Sequence, residues 1–450
     1  MTTHPLHPIA LQSQVVNFHA LPPLSLYIHI PWCVRKCPYC DFNSHEVRPP
    51  SPQPSPTRGE GGLAASLEQQ YVAALIRDLE LALPLIWGRK VYTVFFGGGT
   101  PSLLSGEGVE EILRNVHMLL PLDINAEITL EANPGTVEAA RFAAYREAGV
   151  NRLSLGIQSF NDMHLQALGR IHSADEAKRA IEMAQQHFDN INFDLMYALP
   201  NQTLEQALQD VQTALSFAPQ HLSCYHLTLE PNTPFHHNPP VLPDDDASSD
   251  MQQHIEELLA THGYQHYETS AFALPKKRSR HNLNYWQFGD YLGVGAGAHS
   301  KLSFPDGYGY SPDDKARHAR FSLSISPPAG EKDKGSLREF CISRVMRQAR
   351  YKQPQEYMQQ VAKDAPIQTE HEVSRNDLAF EFMMNALRLN EGFDSILFQE
   401  RTSLSLLSIR RELEKAEKRG LLTRDHQRIA PTQMGQQFLN DLLEIFLVSK

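Results

Sequence analysis

Leu24-Ser-Leu-Tyr27-Ile-His-Ile30 is an apolar, strand-like run that leads through Pro31-Trp32 into Cys33-Val-Arg-Lys-Cys37-Pro-Tyr-Cys40. This C-x3-C-x2-C loop delivers three thiolates to one small object. A structural zinc site closes its shell with four protein ligands. A cubane iron–sulfur cluster has four irons to ligate, so three cysteines leave one iron for a ligand that is not protein. Two plainer readings compete: a zinc knuckle completed by His29 or His45, and a disulfide framework. The second is weak, because Cys224 and Cys341 are isolated and a total of five leaves one unpaired. Pro31-Trp32 and Pro38-Tyr39 through Phe42 surround the thiolates with water-excluding groups, which suits a cluster and tunes its potential. A [4Fe-4S] cluster on Cys33, Cys37 and Cys40 is the reading the residues favour.

Outward from the loop, short β-branched or aromatic runs alternate with amphipathic stretches. Strands are expected at Leu24–Ile30, Val91–Phe96, Glu127–Glu131, Arg152–Ile157, Ile191–Met196 and His221–Leu229. Between them, capping patterns open helices. Ser66-x-x-Gln69 precedes Tyr71–Leu83, Ser173-x-x-Glu176 opens one to about His187, and Thr203-x-x-Gln206 opens one to about Phe217. Repeated β-then-α units imply a parallel sheet whose right-handed crossovers roll it into a barrel, and six units make that barrel partial. In such barrels the chemistry collects on loops at the carboxyl ends of the strands.

Composition bounds the rest. At 450 residues and 41% hydrophobic, two domains with sizeable cores are expected. A net charge of −11 argues against a nucleic acid as partner. No stretch approaches a membrane span, and the N-terminus has neither the basic nor the apolar region of a secretory signal. Thiols meant for a cluster belong in a reducing compartment, so a cytoplasmic setting is expected. Residues 49–65 are too rich in proline and glycine to pack and read as a disordered insertion.

With Tyr27-Ile-His-Ile-Pro-Trp-Cys33 and Cys37-Pro-Tyr-Cys40-Asp-Phe, the chain resembles the radical S-adenosylmethionine (SAM) superfamily, in the branch related to oxygen-independent coproporphyrinogen III oxidase. The resemblance covers roughly residues 22 to 447. It implies an α/β fold, a partial (β/α)6 radical-SAM barrel with SAM on the open iron. It also implies that Tyr27, Gly98, Gly99, Thr100, Glu131, Gln158, Arg170 and Asp194 bind the cofactor. Residue chemistry is compatible with that. Gly97-Gly98-Gly99 keeps side chains away from backbone groups, Glu131 can accept from ribose hydroxyls or an ammonium, and Arg170 can meet a carboxylate through two bonds. Asp194 is an acid within an apolar strand and needs a partner; the resemblance makes that partner the cofactor.

Two features divide the branch. The oxidases carry a further cysteine where this chain has Phe42, which counts against oxidative decarboxylation of propionates. Arg280-His281-Asn-Leu-Asn-Tyr285-Trp286 matches an H-N-x-x-Y-W motif of haem chaperones in the same branch. The resemblance therefore implies haem as a further ligand, with His281 and Trp286 as contacts, Lys276, Lys277, Arg278 and Arg280 facing its propionates, and haem-accepting respiratory proteins as partners. Read without the resemblance, the segment is a capped turn with a core tryptophan. Turnover of SAM and the oligomeric state stay open.

The organisation expected is an extension over 1–23, the barrel and haem motif over 24–300, a connection over 301–376 and a C-terminal α-rich, winged-helix-like domain over 377–450. Helices are expected at Leu378–Leu389 and Leu404–Arg419, then a hairpin from Leu421–Thr423 to Arg428–Ala430, then an apolar helix to about Leu447. Acids interleave with the bases of 410–419, giving a mixed solvated face rather than a DNA-binding one.

Overall fold

The computed structural model describes residues 21–47, 63–86, 88–135, 139–305 and 342–447. The segment 49–62 of the insertion, most of the N-terminal extension and Cys341 lie outside them. Six strands form the barrel: β1 (Leu24–Ile30), β2 (Val91–Gly98), β3 (Leu122–Ala132), β4 (Arg152–Gln158), β5 (Ile191–Tyr197) and β6 (His221–His226). They pair in parallel in chain order. Helices Ala65–Ile86, Gly106–Leu119, Ala174–Gln185 and Leu204–Ser216 are among those that return the chain between them. Capping boxes at Ser173 and Thr203 start two of these helices as expected. Ser66 caps nothing, because its helix already begins at Ala65.

Period-2 alternation divides each strand between two environments. Leu153, Leu155 and Ile157 of β4 are fully enclosed in the apolar layer under the helices. Burial of each contributes about 1.5–3 kcal/mol. The intervening residues face the lumen and are mostly polar. Among them Ser25 bonds Thr93 at 2.8 Å, and Asn192 bonds Ser154 at 2.7 Å.

The stretch expected to be a connection instead extends the sheet. Together with β7 (Gln265–Glu268), β8 (Ala271–Ala273), β9 (Asp290–Val294), β10 (His299–Pro305), β11 (Ile342–Arg350) and β12 (Ile367–Glu372), the barrel strands form one sheet. Among the described residues its order is β12-β11-β10-β9-β1-β2-β3-β4-β5-β6-β8-β7. β9 is parallel to β1, and the outer strands are antiparallel.

A second core, including Phe382, Phe393, Phe398, Leu413 and Ile429, belongs to the C-terminal unit. Helices Arg375–Ala386, Ser395–Thr402 and Arg410–Lys418 pack with a three-stranded sheet made by Phe393–Asp394, Leu422–Arg424 and Arg428–Pro431. Two expected helices are broken. The one expected over Leu404–Arg419 starts only at Arg410, after a 3-10 turn at Leu406–Ile409; Ser403, at φ 55°, ends the preceding helix Ser395–Thr402. The last helix divides into Gln433–Gln437 and Leu439–Glu444 at Phe438, whose ψ of 48° is not helical. Among the described residues no helix is long and apolar enough to cross a membrane.

Candidate functional site

The cysteine loop leaves the carboxyl end of β1. It is closed by a two-residue parallel pairing of Trp32 with His45 and Cys33 with Glu46. Trp32 packs edge-on to Tyr71, with ring centroids 4.6 Å apart. Cys33, Cys37 and Cys40 are free and half-buried. Burial raises the pKa of Cys33 and Cys40, and the neighbouring cysteines raise it further, so the three thiols sense one another.

Of the two histidines offered for a zinc knuckle, only His45 keeps a ring nitrogen without a hydrogen bond. His29 is engaged at both ring nitrogens, by the Tyr27 hydroxyl at 3.1 Å and the Asn43 carbonyl at 2.9 Å. His45 Nε2 meets the Lys352 carbonyl at 3.3 Å. Among the described residues no three His, Cys, Asp or Glu side chains are gathered closely enough for a single ion. A cubane binds each thiolate through a different iron and does not require that convergence.

The glycine run continues the ladder beyond β1. Gly99 N–H donates to the Ile30 carbonyl at 2.8 Å and Thr100 N–H to that of Trp32 at 2.7 Å. A methyl group on Gly99 would stand 2.6 Å from the Trp32 carbonyl oxygen, and one on Gly98 would stand 2.5 Å from the His29 ring, at a φ of 114°. The run therefore has a packing requirement independent of any ligand: the cysteine loop sits directly on it.

A ring of hydrogen bonds joins the strand ends to the loop. Arg170 donates to Asn133 Oδ1 at 2.7 Å, to the Gly156 carbonyl at 2.8 Å and to Cys37 Sγ at 3.7 Å. Asn133 donates in turn to the Thr100 hydroxyl at 3.2 Å, and Thr100 bonds Cys33. Gln158, at the end of β4, has a φ of 67°. Two carboxylates face the lumen behind this ring. Burial, then the Asp194 charge, pushes Glu131 up to about 8. Asp194 is also raised by burial, although it accepts from Ser154 and Asn192, each at 2.9 Å. Asp194 thus has protein partners already, a point the acid-in-an-apolar-strand reading did not anticipate.

Tyr27, Gly98, Gly99, Thr100, Glu131, Gln158, Arg170 and Asp194 accordingly line the lumen or its mouth with the cysteines. Of the two haem-motif residues, His281 enters the lumen from its other end, its ring 6.5 Å from that of Tyr27, while Trp286 packs against Arg388. Helix Arg280–Trp286 closes the opposite, amino-terminal end of the barrel. The His281 ring nitrogen Nδ1 lies 2.9 Å from the Thr93 hydroxyl, and Asn284 donates to Ser25 at 2.8 Å. Arg280 N–H and His281 N–H donate to Glu127 at 3.0 and 3.2 Å. From Thr93 to Gly98 the strand climbs about 16 Å. Trp286 lies under the Arg388 guanidinium, 4.8 Å from its ring centroid. Arg278 is paired with Glu391 at 2.5 Å, and Arg280 with the Asn125 carbonyl. The segment is a capped helix with a packed tryptophan, as its residues alone imply. Its His281 ring is turned inward, 4.8 Å from the Phe95 ring. Burial and Arg152 depress His281 to about 3, so the imidazole is neutral.

Sequence reading missed Arg152, Asn133 and Asp210, and offered His29 only as a zinc ligand. Strand parity points to the first, which shares its face with Ser154 and Gly156.

Comparison with known proteins agrees with this geometry. Residues 27–214 match the Radical SAM superfamily and residues 373–438 the HemN C-terminal domain. The chain is 44% identical to the haem chaperone HemW of Escherichia coli K12, over 95% of this chain and 99% of that one. It is 43% identical to the HemW of Haemophilus influenzae, over 96% and 99%. The coproporphyrinogen III oxidase HemN of E. coli, a radical SAM enzyme, superposes with a TM-score of 0.70 at 22% identity, over 95% of this chain and 90% of that one, a likeness of fold. The chain belongs to the radical SAM superfamily and, within it, to the HemW family.

Proposed function

We propose that this protein is a haem chaperone of the radical SAM type, which binds a [4Fe-4S] cluster, SAM and haem and passes the haem to respiratory haem proteins. The observation that carries the reading is the set of three free thiols at the mouth of a polar lumen, with Thr100 on Cys33, Arg170 on Cys37 and Asn133 joining the two. Its relatives over nearly the whole chain bear the haem-chaperone name.

In this reading Cys33, Cys37 and Cys40 hold the cluster, which supplies one-electron chemistry and an iron open to SAM when bound. Gly97 to Thr100 present backbone groups to the amino acid end of SAM, Glu131 and Asp194 accept from its ammonium or hydroxyls, and Arg170 takes its carboxylate. Tyr27 and Gln158 line the same path. Haem enters the lumen and meets His281 from inside, through Nε2, since Nδ1 is occupied by Thr93. Trp286 supports that helix from outside rather than stacking on the macrocycle. Phe42, which is 63% exposed, stands where the oxidases carry their further cysteine and weighs against porphyrinogen decarboxylation.

The test is an anaerobic haem titration of the cluster-reconstituted protein, followed by the Soret band, beside His281→Ala. Saturation near one haem per chain, weakened in the variant, is expected. Absence of specific binding, with porphyrinogen turnover in the presence of SAM, would return the oxidase reading.

A further inference from the structure

Arg152 opens β4 on the lumen face, in register with Thr129 of β3; Thr129 is level with Phe95 of β2, and Phe95 with Tyr27 of β1. Arg152 is 3% exposed and Thr129 is fully enclosed. Arg152 Nε and the Thr129 hydroxyl are both buried without a hydrogen-bond partner. Glu131 and Asp194 attract the guanidinium through space, but neither bonds it. A guanidinium cannot shed its proton to escape this. A buried donor left without a bond is disfavoured even where carboxylates balance the charge from a distance.

The carboxylates of the same lumen are committed elsewhere. Glu127 accepts from the Arg280 and His281 amides, Asp194 from Ser154 and Asn192, and Glu131 from the Gly98 amide. The tier beside Arg152 is otherwise aromatic. Tyr27 and Phe95 stack with centroids 6.2 Å apart, and the His281 ring closes on both. A planar fork of donors, a free hydroxyl and flat apolar walls together match a carboxylate carried on a flat apolar body.

We propose that Arg152 and Thr129 form an anion subsite in the lower part of the lumen, and that its occupant is a propionate of the tetrapyrrole. The identity of the occupant rests on the haem-chaperone reading; the subsite rests on the unbonded Arg152 Nε and Thr129 hydroxyl. The other source of the same chemistry is the carboxylate of SAM.

The experiment compares haem with its dimethyl ester, each titrated anaerobically into cluster-reconstituted wild type and Arg152→Met, with SAM binding measured alongside. Wild type is expected to bind haem at least tenfold more tightly than the ester. Arg152→Met is expected to bind both alike, near the affinity of wild type for the ester, with SAM affinity at pH 9, where Glu131 is ionised, changed less than haem affinity. Thr129→Val should lose part of the same discrimination, and keeps the test open should the arginine variant fold poorly.

Discrimination that survives in both variants would overturn the proposal. Loss of SAM affinity with haem discrimination intact would assign the subsite to SAM and overturn the tetrapyrrole as occupant. A wild type that binds neither haem nor ester would sink the haem reading and that occupant together.

Discussion

The Asp210 carboxylate, on helix Leu204–Ser216, accepts a 2.6 Å hydrogen bond from the Ser159 hydroxyl; its other oxygen accepts a 2.7 Å bond from the Phe160 amide. Just before them, Ser159 N–H donates to the Ile157 carbonyl at 2.9 Å across Gln158, whose φ is 67°. An i→i+2 bond across a residue with positive φ is a rare, strained γ-turn. Such a conformation costs on the order of 1–3 kcal/mol and persists only where its surroundings hold it. His172 holds the Ile157 carbonyl at 3.1 Å and Arg170 holds that of Gly156 at 2.8 Å. Asp210 holds the far side.

Asp210→Ala should therefore release the turn that presents Gln158. SAM affinity is expected to fall about tenfold, the equivalent of about 1.4 kcal/mol. Iron and sulfide content should not change, since the cysteine loop is anchored elsewhere. Equilibrium SAM binding beside Gln158→Ala checks this. Equal losses in the two single variants and in the double variant place both residues on one path; additive losses would contradict the clamp.

Glu131 gives the lumen a pH dependence. Burial and the Asp194 charge push it up to about 8, so below that pH it is mostly protonated and cannot serve as a charged acceptor. If it receives the SAM ammonium as proposed, affinity should rise with pH up to about 8, by at most tenfold per unit. Glu131→Gln should bind weakly and flatten that profile. A profile of unchanged slope in the variant would assign the titration to another group.

Much of the upper site was legible in the sequence because its parts are local. Three cysteines within eight residues, and polar residues placed after successive apolar runs, carry the cluster loop and the strand ends in their order. What was not legible depends on contacts between distant segments. Asp210 reaches Ser159 across 51 positions, and His281 reaches Thr93 across 188. No periodicity announces either. Nor was the placing of the haem-type motif legible: the chain returns under the barrel after β7 and β8 and inserts the histidine from below. The extra strands were missed because β10 to β12 pair edge to edge far from the parallel repeat.

Arg170 touches the cluster loop directly, with a nitrogen 3.7 Å from Cys37 Sγ. Positive charge and N–H donation to a ligating sulfur favour the reduced, more negative cluster. Arg170→Met should lower its midpoint potential on the order of 50 mV, about one tenfold step for a one-electron couple. Redox titration followed by the EPR signal of the reduced cluster checks it. An unchanged potential would mean that the contact is not kept once the cluster is bound.

Asp290 lies fully buried between two cations, Lys301 at 3.0 Å and Arg89 at 2.8 Å, and also accepts from the Ser303 amide and hydroxyl, each at 2.8 Å. Burial pushes this carboxyl up, but Lys301, Arg89 and Ser303 outweigh it and hold it below its ordinary value. The same burial pushes Lys301 down to about 8, so on the lysine side desolvation outweighs attraction. The two partners are thus unequal. Asp290→Asn strands two buried cations and should cost about 3–5 kcal/mol. Lys301→Met leaves Asp290 with Arg89 and Ser303 and removes a charge that is itself disfavoured, so it should cost clearly less. Because the folded carboxyl is depressed, its contribution is present above the unfolded value near 4 and fades as the pH falls through the folded value. Urea unfolding at pH 7.5 and at pH 4 should show the gap between wild type and Asp290→Asn narrowing in acid. A larger loss for Lys301→Met than for Asp290→Asn would reverse the assignment of aspartate as the centre of this cluster.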